Sequence, residues 1–519
     1  MAPNEGGQRK SDEAVLAEIG YQQELKRDWN LLQNFGVSFS IISVITGITT
    51  LFSTGLNVGG PAVMTWGWIG VSIMTILVGL SMSEIVSAIP TSGGPYFWSA
   101  VLAKPSESAL AAWITGWFNL VGQVAVTTGI SYGCANLISS TAAIIHPDRY
   151  TPTSGTIIGI HAGLLISHGL INTFGVGLLR LFNHSSIILH SLGVGSLAIA
   201  LLAKARFHQT SQFVFFKFYD GTGGWSERAS PAYVAACGIL FAQYTITGFD
   251  ASAHMSEETK NAAWSAPLGV LTSIIVSAIF GFGIILAFLF SMQDFEETLS
   301  APQPVFKIMV DVFGPVGAQI AMSLIILCVW HCGLFSVTSN SRMMYAFARD
   351  GGLPRNIFGV VDRRFDCPIN TVWLSVVLAF LLALPSLGSS VAFTAATSIA
   401  TIGFVFFFLD VMINRYISYG LPILLSVIWD ERFKKGPFRL HGFSMPIRIT
   451  SCLWIIVITV FFCLPTSTPL SRETLNYTPV VLGILITWII LSWIFWASRS
   501  FSGPCNSGSN LLDANKTYL

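Results

Sequence analysis

Residues 239–259 read ILFAQYTITGFDASAHMSEET, and residues 40–60 read SIISVITGITTLFSTGLNVGG. Each is an apolar run interrupted near its middle by a Thr-Gly pair, Thr247-Gly248 in the first and Thr46-Gly47 in the second. Phe249, Asp250 and His254 follow the first pair. A glycine costs about 1 kcal/mol in a helix interior, and an aspartate at the centre of a bilayer about 2.5–3.5 kcal/mol on insertion scales. A stretch of unwound backbone lining a cavity relieves part of both costs. Close helix packing would account for either glycine alone; the matched pair favours a site.

Working outward, the surroundings of both breaks are those of a membrane protein. The chain of 519 residues is 52% hydrophobic and only 10% charged, against about 25% charged in soluble domains, and its mean hydropathy is +0.65. Too few polar side chains exist to cover a water-soluble fold of this length. Disorder is excluded by the apolar load, which includes 38 Phe. A net charge of +1 gives no reason to expect nucleic acid as a partner. The eight cysteines lie mostly in apolar runs and read as small buried hydrophobes, not a disulfide framework. The first 30 residues have no apolar core of a secretory signal and are too acidic for a mitochondrial presequence.

A hydrocarbon core about 30 Å thick needs roughly 20 apolar residues per helix. Twelve such segments fall near 36–58, 63–88, 109–138, 156–176, 180–203, 230–254, 267–291, 316–346, 369–386, 391–428, 447–465 and 477–498. With the N-terminus in the cytoplasm, 19 of the Lys and Arg lie inside and 7 outside, and Arg415 within the tenth segment completes the 27. That bias places both ends in the cytoplasm. The expected organisation is a cytoplasmic segment over 1–35, a twelve-span domain over 36–498 and a cytoplasmic tail over 499–519. Five spans separate the two breaks, and an odd-numbered repeat inverts its topology. Repeat one then covers about 36–203, repeat two about 230–428, and helices 11 and 12 about 447–498. Interrupted helices in corresponding positions of inverted halves point to a transporter site at the midplane. Exposed N–H groups at a half-helix N-terminus suit a carboxylate, and freed carbonyls suit an ammonium. The ligand expected is a zwitterion or a small organocation.

The motifs also resemble a known family. QYTITGFDASAHMSEETKNAAWSAPLGVL at 243–271 is similar to the sixth-span signature of permeases in the amino acid–polyamine–organocation superfamily. More narrowly it resembles the amino acid/choline branch, with its fungal GABA and choline permeases and plant bidirectional amino acid transporters. SEIVSAIPTSGGPYFWSA at 83–100 resembles the second-span exit, SNSRMMYAFARDGGLP at 339–354 the eighth-span exit, and SFSIISVITGITTLF at 38–52 the first-span break. The likeness runs from about Trp29 to Gly503. It implies an all-α membrane protein of twelve transmembrane helices, a five-plus-five inverted repeat with broken helices 1 and 6, working by alternating access. On this resemblance Ser43, Thr46, Gly47, Ile48 and Thr49 form the first break and hold the substrate carboxylate. Thr247, Gly248, Phe249 and Asp250 form the second, with carbonyls toward the amine and Phe249 as an aromatic gate. Trp117, Asn119 and Gln123 of the third span and Phe335 and Ser336 of the eighth line the cavity.

The chain departs from the family pattern once. Such permeases run from a segment like ATIG directly into YISYGLPI, whereas FVFFFLDVMINR, residues 404–415, lies between them here. It puts Asp410, Asn414 and Arg415 where an uninterrupted tenth span should run. The segment reads as retained intron sequence or a local insertion, at odds with transport in either case.

The remaining polar residues have two readings each. Glu84 is a gate or proton carrier, or else a solvated helix-end carboxylate. His254, four residues after Asp250, tunes that carboxylate or makes a structural hydrogen bond, the latter being preferred. Glu257 and Glu258 gate a cytoplasmic vestibule with Lys260, or form a solvated charge cluster. His190 is a candidate for a proton-linked role, with helix packing preferred. Cys328, His331 and Cys332 share a turn but have no evident fourth metal ligand, so packing is preferred. Asn476 begins a glycosylation sequon abutting the twelfth span. No HExxH or GxSxG constellation supports an enzyme, and no cofactor is expected. The reading is a secondary transporter for amino acids, with GABA the leading substrate and protons a candidate coupling ion. Choline or another organocation is the first alternative, and a non-transporting nutrient sensor the second. The plasma membrane is the default location, with vacuolar and mitochondrial membranes open.

Overall fold

A computed structural model describes residues 11–174, 176–387, 402–470 and 476–504, with 176 and 402–413 described by backbone alone. Among the described residues the secondary structure is helical, with no strand beyond isolated bridges. Among the described residues ten helices are long and apolar enough to cross a bilayer: Leu31–Asn57, Gly60–Ala88, Ser108–Ile145, Ser154–Phe174, Gly177–Lys204, Ala262–Ser291, Pro304–Arg349, Ile369–Leu387, His441–Cys463 and Thr478–Ser500. They match the expected spans 1–5, 7–9, 11 and 12. The expected sixth span is absent from the ten because its helix is in pieces, Pro231–Gly238, Leu240–Thr245 and Ala251–His254. The expected tenth lies partly outside the described residues; its described part is a helix over Ile402–Ile428. Asp410 is among the residues whose side chains are not described.

Local chemistry sets the ends of these helices. The first span starts at a capping box, Gln33 N donating to Asn30 Oδ1 and Asn30 N to Gln33 Oε1, each at 2.9 Å. The run Pro304–Arg349 is two helices joined at Gly314 (φ 75°, ψ 174°), so the eighth span proper begins at Pro315. The seventh span begins at Asn261 in a left-handed conformation, and its first amides are capped from far away. Asp12 accepts from Asn261 N at 2.7 Å and Ala262 N at 3.0 Å.

Glycine seams let the helices approach. A Cβ on Gly281 would overlap the Trp68 ring, and one on Gly79 would overlap Ile274. Together with the Trp68 Nε1 bond to the Ala278 carbonyl at 2.9 Å, they weld the second span to the seventh. The outer surface is apolar, with Leu192, Ile199, Val316 and Phe495 all at least 70% exposed. A belt of that kind suits lipid, not water. The seven described cysteines are free, five of them buried.

Candidate functional site

The two breaks meet at the centre of the bundle. In the first span, helix Leu31–Ile42 stops and helix Val44–Asn57 starts across Ser43, which alone takes a left-handed conformation (φ 33°). Thr46, Gly47, Ile48 and Thr49 were expected to unwind; they are helical instead. The first break is thus one residue long and lies three residues before the Thr-Gly pair. Thr46 N bonds back to the Ser43 carbonyl at 2.7 Å, which restarts the helix at once. The second break is longer. Helix Leu240–Thr245 ends and Ala251–His254 begins, with Gly248 at φ 104° in between.

Glycines hold the breaks against each other reciprocally. A Cβ on Gly47 would stand 2.6 Å from Thr245 Oγ1, and one on Gly248 would overlap Ile41 Cγ2. Ser38 supplies a stitch. Its hydroxyl donates to the Phe249 carbonyl at 2.9 Å, accepts from Ser252 N at 2.9 Å and meets Ser252 Oγ at 2.7 Å. Between the breaks lies a cavity of about 20 Å³, room for about one water molecule. Its walls are Ile41, Ile42, Thr46 and Gly47 from the first span and Tyr244, Thr245 and Thr247 from the sixth. Val126 and Ile130 come from the third span and Cys332 from the eighth.

Several expected lining residues lie elsewhere. Trp117 is nine residues before Val126, about 14 Å along the helix, and packs with Trp113, Trp488 and Phe347. Phe335 belongs to a cluster with Trp29, Val37 and Met255, while Ser336 bonds Thr127 at 2.8 Å. The eighth span reaches the cavity one turn earlier, through Cys332. Phe249 is fully buried with its ring 5.3 Å from that of Tyr419. Val126, Ile130 and Tyr244 were missed because nothing in their composition separates them from packing residues.

A buried polar layer lies directly past the cavity. Asp250 Oδ1 is 2.7 Å from Arg415 Nη2, and Oδ2 accepts from the same nitrogen at 3.0 Å and from Gln123 Nε2 at 3.1 Å. His254 Nε2 is 3.3 Å from Oδ2. The ring's Nδ1 is 2.8 Å from the Ser92 carbonyl, which only accepts, so that nitrogen carries a proton. Nε2 therefore has two uses. In the neutral ring it faces the Asn119 amide at 3.5 Å, and in the imidazolium it donates to Asp250. Asn119 and Gln123 thus serve this layer and not the cavity wall. His190 sits in a π-helical turn, Leu189–Gly193. Its Nδ1 is 2.9 Å from the Ser186 carbonyl and its Nε2 accepts from the Ser43 hydroxyl at 2.7 Å. It is a satisfied imidazole that also pins the first break.

Beyond this layer, on the face carrying the N-terminal segment, charged groups close the path. Glu257 accepts from Arg349 Nη1 at 3.0 Å and Nη2 at 3.1 Å, and from Ser92 N at 3.0 Å. Glu258 pairs with Arg342 Nε at 2.8 Å. Asp350 accepts from Tyr21 and Tyr96, both at 2.8 Å. Arg27 Nη1 donates to the Ser256 and Thr259 carbonyls at 3.1 and 2.7 Å. The solvated-cluster reading of Glu257 and Glu258 is therefore wrong, and their partners are arginines of the eighth span instead of Lys260. Burial alone would raise the Glu257 pKa, but the Arg349 charge and its hydrogen bonds hold it below the ordinary value. Burial raises that of Asp350. Glu84 is likewise no solvated helix end. It is fully buried and accepts from Leu440 N at 3.1 Å and Ser444 Oγ at 2.5 Å, because the segment before the eleventh span folds back over it. Asn476 is buried too, donating to the Phe462 and Leu464 carbonyls.

Comparison with known proteins follows the same lines. The amino acid permease family model matches residues 32–490. An amino-acid permease BAT1 homolog from Oryza sativa subsp. japonica is 42% identical over 514 residues, 96% of each chain. The amino-acid permease BAT1 of Arabidopsis thaliana is 41% identical over 96% of this chain and 97% of its own. A GABA-specific permease of Saccharomyces cerevisiae is 29% identical over 98% of this chain and 87% of its own.

Proposed function

The chain belongs to the amino acid permease family, a multi-pass membrane protein and not an enzyme, and on that premise we propose that it carries amino acids by alternating access. GABA is the leading single substrate, on the family branch the sequence resembles and the GABA-specific relative in yeast. The observation that carries the reading is the cavity shared by both breaks, with Thr46 and Gly47 on one side and Thr245 and Thr247 on the other. The amides that start helix Val44–Asn57, which the Ser43 side chain leaves uncapped, hold the substrate carboxylate. The carbonyls ending helix Leu240–Thr245 face its amine. The two broken spans are corresponding members of inverted halves, and the plasma membrane is the location we favour.

At about 20 Å³ the cavity excludes an amino acid, so entry requires the breaks to part. The closed side is the cytoplasmic one, sealed by Glu257–Arg349, Glu258–Arg342 and the Tyr21–Asp350–Tyr96 bonds. Phe249 moves with the second break as its gate. His254 is the residue best placed to couple a proton, because its Nε2 has a partner in either protonation state.

Uptake of labelled GABA into proteoliposomes, with and without an inward proton gradient, tests this reading. Uptake driven by the gradient and blocked by unlabelled amino acids establishes a proton-coupled permease. Exchange indifferent to the gradient removes the coupling and leaves the permease. Binding of amino acids without any uptake overturns transport in favour of a sensor.

A further inference from the structure

Arg415 is the arginine of the polar layer, and among the described residues most of its hydrogen-bonding capacity is unspent. It is 1% exposed, and Nη2 alone is engaged, on Asp250. Its Nε and Nη1 have no partner among the described residues. The chain makes room for it, since a Cβ on Gly122 would stand 2.8 Å from Arg415 Cγ and 3.2 Å from its backbone nitrogen. Its place is set from two sides. Gln123, which shares Asp250 with it, is three residues before Val126 in the cavity wall, and Asp250 is three residues past Thr247 in the same wall. Residues three apart on a helix share a face, as Gln123 and Val126 do on the third span, while the broken backbone of the sixth span leads from Thr247 to Asp250. The guanidinium therefore underlies the cavity at a distance of about one helical turn.

We propose that Arg415 sets the charge of the substrate: with Asp250 it makes a site that takes carboxylate-bearing zwitterions and monoanions and rejects organocations. The inference rests on the transport reading above. Asp250 alone would be a buried anion open to a quaternary ammonium or a lysine side chain. Paired at 2.7 Å, its charge is spent, and an incoming cation meets the guanidinium. The N–H groups left over on Nε and Nη1 are donors only, so whatever completes them must accept. A carboxylate does so with charge as well as geometry. Parting of the breaks, which the small cavity demands, lets the carboxylate held by the amides of the first break reach these donors as well. Asp250 meanwhile keeps Nη2 and fixes the plane of the guanidinium.

The experiment is labelled GABA counterflow by the full chain in proteoliposomes, with unlabelled GABA, glutamate, lysine and choline as competitors. Ligand-induced thermal stabilisation of the same protein in detergent serves as a readout free of turnover. Wild type should be competed and stabilised by GABA and glutamate, with lysine and choline at least tenfold weaker. Arg415→Gln should narrow that gap by at least tenfold, as cations gain and glutamate loses. Should Arg415→Gln fail to fold with Asp250 left alone, the neutral pair Asp250→Asn/Arg415→Gln decides, and it should show no preference by charge. Either variant keeping the wild-type rank order overturns the inference. So does a wild-type protein that takes lysine and choline as readily as GABA, an outcome that leaves the permease standing. A wild-type protein that neither binds nor moves any amino acid overturns the transport reading itself, and this inference with it.

Discussion

Gly248→Ala tests the idea that the second break is built to touch the first. Two costs follow from the geometry. Gly248 has φ 104°, a conformation that costs an L-residue about 1–3 kcal/mol. The added methyl would also overlap Ile41 Cγ2, with Ile41 Cβ at 3.3 Å and its backbone carbon at 3.6 Å, where ordinary contact is about 3.5–4.0 Å. Overpacking of this kind costs about 1–3 kcal/mol. The sum, about 2–6 kcal/mol, falls on the state in which the breaks meet. At about 1.4 kcal/mol per tenfold, even the lower end shifts the balance against that state by more than tenfold. Melting in detergent should drop clearly, and GABA uptake into proteoliposomes should fall at least tenfold. Gly159→Ala is the control, because Gly159 is helical with nothing within 4 Å of the new methyl, and it should leave both readouts near wild type. A Gly248→Ala protein that melts and transports like the control would refute the reasoning.

Three further outcomes are expected. Arg349→Met leaves Glu257 buried without its bidentate partner, a change that costs about 3–5 kcal/mol in buried pairs; a cysteine at Ser92 should then react with an impermeant thiol reagent at least tenfold faster, and an unchanged rate would remove Glu257–Arg349 from the seal. Because the folded-state pKa of Glu257 lies below its ordinary 4.5, the pair's contribution is fully present above that pH and is lost as pH falls through the folded value. The melting temperature should therefore fall with acid more steeply in wild type than in Glu257→Gln/Arg349→Met, and parallel profiles would contradict this. Glu84→Ala strips the acceptor from Leu440 N and Ser444 Oγ, a loss of about 1.5–3 kcal/mol per charged hydrogen bond. It should lower the melting temperature without altering the order in which amino acids compete, and a changed order would return Glu84 to the transport path.

Much of this arrangement could be read along the chain, because membrane spanning and helix breaking are local properties. Apolar runs of sufficient length give the helices, and a Thr-Gly pair inside such a run gives a break. The second break fell where it was expected, since Gly248 is the residue that can adopt its φ. The first narrowed to one of its five expected residues, Ser43, whose hydroxyl is tied to His190, 147 residues away. Sequence offered no reason to prefer Ser43 over Gly47 for that turn.

The partners of the charges were decided only in three dimensions. Desolvation makes every buried charge seek an opposite one, but distance along the chain does not say which. Glu257 and Glu258 lie beside Lys260 in sequence, yet they pair with Arg349 and Arg342 from the eighth span. Glu84 reads as a helix end in water until the segment 440–444 folds over it. Arg415 ends a stretch that looks alien to the family pattern, and tertiary packing places it on Asp250. The amino-acid sequence by itself determined a helical membrane protein with two broken spans, through hydrophobicity and backbone propensity. The tertiary structure alone determined how close the breaks stand and which charge answers which, because those depend on burial shared between helices hundreds of residues apart.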